Sequence, residues 1–339
     1  MSQIIDYIEK ISSERNLTED ESYYAFNLIM SGKCSEAQIG AFLLALKTRG
    51  ETSNEIIGAV KAIREKMVTI ETPDGTIDIV GTGGDGLKTL NISTAASIVV
   101  AGQNIKVAKH GNRSVSSLSG ASDILNELNI NINLSPQSAI KCLNETNICF
   151  LFAPLYHDSF KHVGKIRSEI KTRTIFNILG PLCNPGNVKL HLLGVYNKNW
   201  LTPMIKTLQS LGSKRAWAVH SMDGLDEISI SDKTFISKLS NNEINETILD
   251  FKHHKIQKKP ISRILGNDPK HNAKELVKIL KGEKNAYRDI VVLNSAAAFV
   301  VSQLCQTINE GIDIAEESID RGNAFEVLNK LEILSNKLK

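Results

Sequence analysis

The sequence predicts an α/β protein, in which a small all-helical N-terminal domain precedes a large α/β domain with a central, mostly parallel sheet covered by helices. Two observations carry this prediction. Up to residue 68 apolar residues recur at helical spacing, whereas from Thr76 short apolar runs rich in β-branched residues alternate with helical patterns. Apolar strands that alternate with helices are typical of a parallel sheet covered on both faces.

The N-terminal segment contains three helix-start signals. Each is a capping box, in which a hydroxyl residue and a Glu or Gln three positions later satisfy each other's backbone N–H groups. The pairs are Thr18 with Glu21, Ser35 with Gln38, and Thr52 with Glu55. Gly32 and Gly50 supply the matching stops. We expect residues 1–70 to form the small domain, completed by helices from about 170–187, and residues 71–339 to form the large domain.

Five short apolar runs predict the strands of the sheet, and helical patterns lie between most of them. The runs are residues 76–80, 105–108, 148–153, 189–196 and 215–220. Ser135 followed by Pro136 predicts the start of one intervening helix, because Pro favours the first helical position. Residues 227–250 alternate as EISI, TFISKLS and INETILD, so we expect a small antiparallel patch at one edge. The remainder, 272–338, returns to helices.

Composition excludes several classes of protein. The chain has 339 residues, of which 42% are hydrophobic and 23% charged, as in ordinary globular domains. A net charge of +3 is too balanced to indicate a polyanionic partner. The longest apolar stretches reach about half of a membrane span, and charged residues interrupt the N-terminus where a signal peptide would be apolar. Because the five cysteines are scattered, we expect a reduced, cytoplasmic protein that binds neither nucleic acid nor membrane.

The glycine-rich segment DIVGTGGDGLKTLNISTAAS lies between the first predicted strand and a helix predicted to start at residues 92–93. Gly81, Gly83 and Gly86 formally satisfy the dinucleotide fingerprint G-x-G-x-x-G. That fingerprint requires a helix that begins within the glycines and an acidic residue about 20 positions on, and both are missing here. A tight turn with ordinary capping explains only part of the cluster. We favour an anion cradle of backbone N–H groups at a helix N-terminus.

The segment KHGNRSVSSLSGASD, residues 109–123, follows the next predicted strand. It offers two fixed cations, Lys109 and Arg113, and a dense row of hydroxyl and amide donors. Such a loop at the carboxyl end of a parallel strand suits a phosphate group. A solvated polar loop is the alternative, and the neighbouring glycine-rich segment makes it less attractive.

The segment HSMDGLDEISI, residues 220–230, carries the adjacent carboxylates Asp226 and Glu227 after an Asp-Gly turn. Adjacent side chains on a regular strand point to opposite faces, so these two converge only at a loop or a strand end. Two hard oxygen ligands suit Mg²⁺, which is usually held by carboxylates, water and substrate phosphates. An acidic pair alone is usually surface, so the metal hypothesis depends on its neighbours.

Two further basic features have ordinary alternatives. Arg167 lies on a predicted helix and is followed by Arg173 and a proline loop at 181–185. A helical Arg is normally a solvated charge, and it matters for function only where a pocket needs a cation for a carboxylate. The basic patch at 251–263 has no aromatic residue beyond Phe251, so a solvated connector is favoured over nucleic-acid contact.

Taken together, the motifs resemble the signature blocks of one family, the anthranilate phosphoribosyltransferases of tryptophan biosynthesis. In chain order the blocks are GTGGD (81–85), NIST (91–94), KHGNRSVSS (109–117), FAPLYHDSFKHVGKIR (152–167), RTIFNILGPLCNP (173–185), GVY (194–196) and DGLDE (223–227). The resemblance runs from the N-terminal helices to the C-terminal helix. It implies an active site between the two domains and a homodimer joined through the small domains.

The resemblance also implies a reaction and a set of residues. The phosphoribosyl group of 5-phosphoribosyl-1-diphosphate would pass to the amine of anthranilate, with one or two Mg²⁺ ions as cofactor. The implied catalytic residues are Lys109, Asp226 and Glu227, and the implied metal ligands are Ser93, Asp226 and Glu227. The residues implied for anthranilate are Gly81, His110, Asn112 and Arg167. Those implied for the phosphoribosyl diphosphate are Gly81, Gly84, Asp85, Thr89, Asn91, Ile92, Ser93, Thr94, Lys109, His110, Gly111, Asn112, Arg113, Ser114, Val115, Ser116, Ser117 and Ala121.

Three positions depart from the family pattern. Leu118 stands where the family often has Lys, Ala121 and Ser122 reverse the usual Ser-Ala order, and Asp158 replaces a common Pro. Residue 121 therefore offers a backbone N–H and no hydroxyl. The Asp158 change is expected to affect only its loop.

Two alternative functions share the implied fold. A pyrimidine nucleoside phosphorylase would use inorganic phosphate and need no metal site for a diphosphate, whereas the DGLDE block is intact here. A non-catalytic, nucleic-acid-binding relative would show a high basic charge and a degraded acidic pair. The net charge of +3 and the intact Asp226 and Glu227 count against that relative.

Overall fold

The computed structural model describes residues 3–112 and 119–338. Its N-terminal helices are α1 (Ile4–Ser12), α2 (Glu19–Met30), α3 (Glu36–Arg49) and α4 (Ser53–Lys66). The three predicted capping boxes are confirmed, because Thr18, Ser35 and Thr52 each accept a backbone N–H from the first turn of the following helix. Gly50 ends α3 with a φ of 92° and Gly32 lies just beyond α2 with a φ of 69°, a conformation that glycine adopts without strain.

Within the described residues, one sheet contains the strands β1 (Ile77–Gly81), β2 (Val107–Gly111), β3 (Ile148–Phe152), β4 (Leu190–Gly194), β5 (Arg215–Ser221), β6 (Thr234–Ser240) and β7 (Glu243–Leu249). Their spatial order is β3-β2-β1-β4-β5-β6-β7. The first five strands pair in parallel, and β6 and β7 are antiparallel at one edge. The predicted mostly parallel sheet with an antiparallel patch is confirmed.

The predicted strand at residues 227–230 is wrong, because this segment is irregular. Its backbone groups bond side chains instead of a neighbouring strand. The Ile228 N–H donates to Asn294 Oδ1 at 3.0 Å, and the Ser229 N–H donates to the Ser221 hydroxyl at 3.1 Å. Asn294 lies 66 positions further along the chain. The alternation of apolar and polar residues in 227–230 therefore could not reveal the contact that determines this conformation.

Helices surround the sheet on both faces. They are α5 (Ile92–Ala101), α6 (Ala121–Glu127), α7 (Pro136–Thr146), α8 (Ala153–Tyr156), α9 (Lys161–Ile170), α10 (Phe176–Leu179), α11 (Leu201–Ser210), α12 (Pro269–Leu280), α13 (Ala286–Val301), α14 (Ile308–Asp320) and α15 (Asn323–Lys337). The predicted starts of α5 and α7 are confirmed, and Ser135 caps α7 by accepting the Ser138 N–H at 3.1 Å. None of the helices in the described ranges combines the length and apolar character that a bilayer span demands.

The small helical unit shares its core with one face of the sheet. Phe26 and Phe42 of the N-terminal helices pack with Phe176 of α10, and α11 continues the same core onto β4 and β5. The opposite face of the sheet packs on α5 and α13. After Ile170, the last residue of α9, the segment up to residue 187 contains α10 and a 3-10 turn at Gly180–Leu182, so the longer helix that joins the small unit is α9. Arg173, between α9 and α10, donates to the Gly84 carbonyl just after β1, so this segment lies beside the carboxyl end of a parallel strand.

Candidate active site

A glycine turn leaves the carboxyl end of β1. Gly83, Gly84 and Gly86 have φ values of 64°, 79° and 83°, which side chains with a Cβ rarely adopt. The turn is anchored on the neighbouring β4, because the Thr82 N–H donates to the Gly194 carbonyl at 2.9 Å. The Gly83 N–H donates to Asp226 Oδ2 at 2.8 Å. Asp226 belongs to residues 223–227, which we call the acidic loop.

Helix α5 begins directly after this turn. Its cap residue Asn91 uses its side chain elsewhere, with Oδ1 accepting from Asn272 at 3.0 Å and from the Ser119 hydroxyl at 3.3 Å. The N–H groups of the first helical turn therefore face the site. The backbone N–H of Ser93, in the first turn of α5, favours the charged form of the Glu227 carboxylate, while burial raises the pKa of that group overall.

Three carboxylates meet beside the turn and the helix start. Asp85, Asp226 and Glu227 each offer an oxygen, and these oxygens lie within 4.8 Å of one another. Burial raises the pKa values of Asp226 and Glu227, and the charges of the neighbouring carboxylates raise them further. Like charges held this close fit a hard cation between them, and an all-oxygen donor set fits Mg²⁺. Asp226 and Glu227 converge because both lie outside the strands.

The acidic loop lies directly on the ends of two strands. A Cβ at Gly81 would come 2.9 Å from Asp226 Oδ2, and a Cβ at Gly194 would come 1.6 Å from the Asp226 carbonyl oxygen. Gly194 therefore permits an approach of backbone to backbone that a larger residue would prevent, and a side chain at Gly81 would displace the Asp226 carboxylate. The GTGGD and GVY blocks each contain one of these glycines.

Lys109 projects inward from β2 toward this acidic cluster. Its side chain is buried, and Nζ donates to the Ile79 carbonyl at 2.5 Å and to the Ser93 hydroxyl at 3.3 Å. Burial lowers the pKa of Lys109 to about 8, while the charges of Asp78 and Glu227 act in the opposite direction. The structure thus brings together Lys109, Ser93 and the three carboxylates.

A row of rings lies on the other side of β2. His110 is buried with its Nε2 3.2 Å from Nε2 of His157. From His157 the row continues to Phe160 and Phe176, with 5.6 Å between successive ring centroids. Burial lowers the pKa of His157 to about 4 and that of His110 well below its usual value, so both rings are neutral at pH 7.

Arg167 ends the row of rings. Its guanidinium lies 5.4 Å from the Phe176 ring centroid, and its side chain is half-buried on α9. Burial lowers the pKa of Arg167. Among the described residues no carboxylate forms an ion pair with it. A half-buried cation beside aromatic rings suits an aromatic carboxylate.

The other predicted ligands differ in what they offer. Ile92 and Thr94 have buried side chains, so their contribution to a ligand is their backbone N–H groups. Thr89 pairs with Leu265 in an isolated bridge, and Ala121 opens α6. Gly111 ends β2 and Asn112 follows it. Arg113, Ser114, Val115, Ser116, Ser117 and Leu118 lie outside the described residues.

Sequence reasoning missed two features of this site. Asp85 was assigned to the diphosphate, yet it joins the carboxylate cluster. An acidic residue beside a proposed diphosphate was itself a signal, because the two negative groups need a cation between them. The ring row was also missed, although His157, Phe160 and Phe176 all lie within the recognised blocks.

The fold and this site together define a two-part glycosyl transferase. The family model described as "Glycosyl transferase family, helical bundle domain" matches residues 5–67, and "Glycosyl transferase family, a/b domain" matches residues 74–325. The chain is 44% identical to the anthranilate phosphoribosyltransferase of Azorhizobium caulinodans over 331 residues, which cover 98% of this chain and 96% of that protein.

Solved structures of anthranilate phosphoribosyltransferases are similar to this chain over nearly its full length. The anthranilate phosphoribosyltransferase of Thermus thermophilus matches with a TM-score of 0.92 and 32% identity over 98% of this chain and 99% of that chain. The Saccharomyces cerevisiae enzyme in complex with PRPP and Mg matches with a TM-score of 0.90 and 31% identity, over 99% of this chain and 98% of that chain. The chain belongs to the anthranilate phosphoribosyltransferase family, and the resemblance seen in its sequence is confirmed.

Proposed function

We propose that the chain transfers the phosphoribosyl group of 5-phosphoribosyl-1-diphosphate to anthranilate, giving N-(5-phosphoribosyl)anthranilate and diphosphate in tryptophan biosynthesis. One observation carries the proposal: the carboxylates of Asp85, Asp226 and Glu227 meet beside a glycine turn, a helix N-terminus and the ammonium of Lys109. This arrangement has donors for an anion and ligands for a cation on the same side, as a metal-bound diphosphate requires.

Asp85, Asp226 and Glu227 would hold Mg²⁺, with the Ser93 hydroxyl close by, and one or two ions are compatible with this donor set. When bound, the ion neutralises the charge that grows on the departing diphosphate. The chain's own residues do the rest. The Gly83 N–H orients the carboxylate of Asp226, and the Ser93 N–H favours the charged form of Glu227, so that the acidic pair needs little reorganisation when the ligand arrives.

Lys109 supplies a fixed cation to the leaving group. Its ammonium is held by the Ile79 carbonyl and the Ser93 hydroxyl, so its position does not depend on a flexible stem. Displacement at the ribose anomeric carbon passes through a state with oxocarbenium character, and catalysis consists mainly of positioning and charge stabilisation. The amine of anthranilate is neutral at pH 7, so no general base is proposed.

Arg167, His110, Asn112 and Gly81 would bind anthranilate. The guanidinium of Arg167 would pair with the carboxylate of the substrate, and the neutral rings of His110 and His157 would face its aromatic ring. The remaining predicted residues, from the glycine turn through α5 and the loop at 109–117 to Ala121, would bind the phosphoribosyl diphosphate.

The domain division at residues 70 and 71 and a homodimer joined through the small domains belong to the same proposal. In support of the division, α4 ends at Lys66 and β1 begins at Ile77, and separate family models match residues 5–67 and 74–325. In support of the dimer, Ile5, Tyr24 and Leu44 expose large apolar side chains on α1, α2 and α3. A cytoplasmic location is proposed because all five cysteines, which lie in the described ranges, are free thiols.

The function is tested by mixing the protein with anthranilate, 5-phosphoribosyl-1-diphosphate and Mg²⁺ and following the loss of anthranilate fluorescence. We expect loss that requires all three components and stops on chelation of the metal. The control replaces anthranilate with a pyrimidine nucleoside and the diphosphate with inorganic phosphate. Nucleoside cleavage without anthranilate consumption would favour the phosphorylase alternative and overturn the proposal.

A further inference from the structure

The hydrogen-bonded ladder between β1 and β2 breaks off before it reaches the candidate active site. Their register has one pair, Ile77 opposite Val107, whereas β1 with β4, β2 with β3 and β4 with β5 each have five. The glycine turn follows the end of β1, and Lys109 is the middle residue of β2. The gap in the ladder therefore lies beside groups of the candidate site.

Two buried side chains fill this gap. Asp78 of β1 accepts the His110 N–H on Oδ1 at 3.2 Å and the amide of Asn184 on Oδ2 at 2.7 Å. Asn184 also donates to the Ala108 carbonyl at 2.8 Å, so both of its Nδ2 hydrogens are used. We call Asp78 and Asn184 the wedge. They satisfy the backbone groups of β2 that would otherwise bond β1.

The orientation of the wedge is fixed from both ends. The Gly186 N–H donates to Asn184 Oδ1 at 2.7 Å, which determines which side of the amide faces Asp78. Both wedge side chains are fully buried. The carboxylate of Asp78 also faces the buried ammonium of Lys109, so the negative charge between the strands is compensated.

The gap has a direct consequence for Lys109. In a continuous ladder the Ile79 carbonyl would accept a backbone N–H from β2. Here it accepts the Lys109 ammonium instead, at 2.5 Å. That contact holds the ammonium beside Ser93 and the acidic cluster.

We propose that Asp78 and Asn184 are positioning residues for the transfer reaction, because by holding β2 away from β1 they let Lys109 reach the leaving-group side of the site. The inference rests on the proposed function. It predicts that a change in the wedge acts on turnover through Lys109 and not through stability alone.

The test is a double-mutant cycle on steady-state kinetics. Asp78→Asn keeps the shape of the side chain, but it removes the charge and places an amide donor against one of the two donors, that of Asn184 or that of His110. We expect kcat to fall about 10²-fold, the scale of losing one preorganised charge-stabilising group, with KM for the diphosphate substrate changed much less. In a Lys109→Ala background the same substitution should cost almost nothing further, because the group it positions is gone.

Asn184→Ser is the second variant, in case Asp78→Asn does not fold, and it should show the same non-additivity with Lys109→Ala. The control is Ser318→Ala, which removes another buried hydrogen bond of the same domain, from Ser318 Oγ to the Val99 carbonyl at 2.7 Å. It should lower the melting temperature and leave kcat unchanged at a temperature where the protein is folded.

The following results would overturn the inference. Wedge variants that lose only thermal stability, as Ser318→Ala does, overturn the inference. So does a fall in kcat that remains in full when Lys109 is already Ala. A wild-type chain that consumes no anthranilate overturns the proposed function, and this inference with it, whereas an active wild type with additive variants overturns the inference alone.

Discussion

At the scale of single residues, the candidate site sets three carboxylates against one buried ammonium. Asp85, Asp226 and Glu227 repel one another, and Lys109 compensates only part of their charge. Without a bound cation, the repulsion among these carboxylates lowers the stability of the folded chain. The residues of the site therefore have opposite effects on stability and on activity.

Lys109→Ala is predicted to lower kcat by about 10²–10³-fold, the usual effect of removing one preorganised charge-stabilising donor. The loss should persist when 5-phosphoribosyl-1-diphosphate is saturating, because the ammonium acts on the leaving group. Steady-state kinetics measure it. The control is Lys141→Ala, which removes an exposed ammonium 3.9 Å from Glu145 and should leave kcat unchanged. An effect confined to the KM for anthranilate would place Lys109 on the wrong side of the pocket.

Arg167→Ala is predicted to raise the KM for anthranilate about ten- to a hundredfold, because a charge-assisted hydrogen bond contributes roughly 1.5–3 kcal/mol. The KM for the diphosphate substrate should change little. Arg167→Lys should recover only part of the loss, since an ammonium lacks the planar fork.

The matched control for Arg167 is Arg321→Ala, on an exposed residue that pairs with Glu317 one helical turn away. It should change neither KM. If Arg167→Ala altered only the melting temperature, Arg167 would be an ordinary helical charge and the carboxylate of anthranilate would need another partner.

The acidic pair predicts how stability depends on pH. Burial raises the pKa values of Asp226 and Glu227, so the folded state binds protons that the unfolded state has released, and metal-free stability is lost as pH rises through the folded pKa values. The melting temperature, measured with a chelator present, should fall less with rising pH in Asp226→Asn than in the wild type. Mg²⁺ should raise the melting temperature of the wild type more at pH 8 than at pH 5, and raise that of Asp226→Asn little. An equal Mg²⁺ shift in both proteins would exclude this metal site.

At the scale of helices and strands, a glycine decides how closely α4 approaches α2. A Cβ at Gly58 would come 2.2 Å from the Glu19 carbonyl oxygen and 2.7 Å from the Tyr23 nitrogen, both backbone atoms. Neither atom can move without shifting α2. The approach of these two helices therefore depends on one missing side chain.

Gly58→Ala is predicted to lower the free energy of unfolding by roughly 1–3 kcal/mol, the usual cost of overpacking. Urea denaturation of the two variants measures the difference. Gly40→Ala is the control, because Gly40 lies within α3 where an added Cβ would meet no atom within 4 Å, and helix propensity favours Ala there by about 1 kcal/mol. Equal effects of both substitutions would contradict the close-packing argument.

At the scale of the whole molecule, the exposed apolar side chains of the first three helices are the surface on which the proposed dimer can be tested. Tyr24→Glu combined with Leu44→Glu is predicted to give a monomer in sedimentation velocity, because two charges at an apolar interface lose their hydration without a partner. Ile333→Glu is the control, since Ile333 is equally exposed on α15 of the large part. A wild type that sediments as a monomer, or a double variant that stays dimeric, would contradict this interface.

What the sequence predicted depended on how far apart the interacting residues lie. The capping boxes were predictable, because in each of them the capping side chain and the backbone N–H that it accepts lie three residues apart. Asp85 joins a cluster with residues more than a hundred positions away, and no local pattern shows that meeting. The strand expected at 227–230 failed for the same reason, because Asn294 takes its backbone groups.

The wedge between β1 and β2 also orders events during synthesis. Asp78 and Asn184 are 106 positions apart, so a ribosome completes both strands well before the residue that separates them emerges. Until then Asp78 lacks its amide partner and the Ala108 carbonyl has none from Asn184. A nascent chain that ends before residue 184 should hold these strands in a different spacing from the finished protein. The hydrogen bonds of the wedge are thus completed only once residue 184 has been made, although both strands that they join end by residue 111.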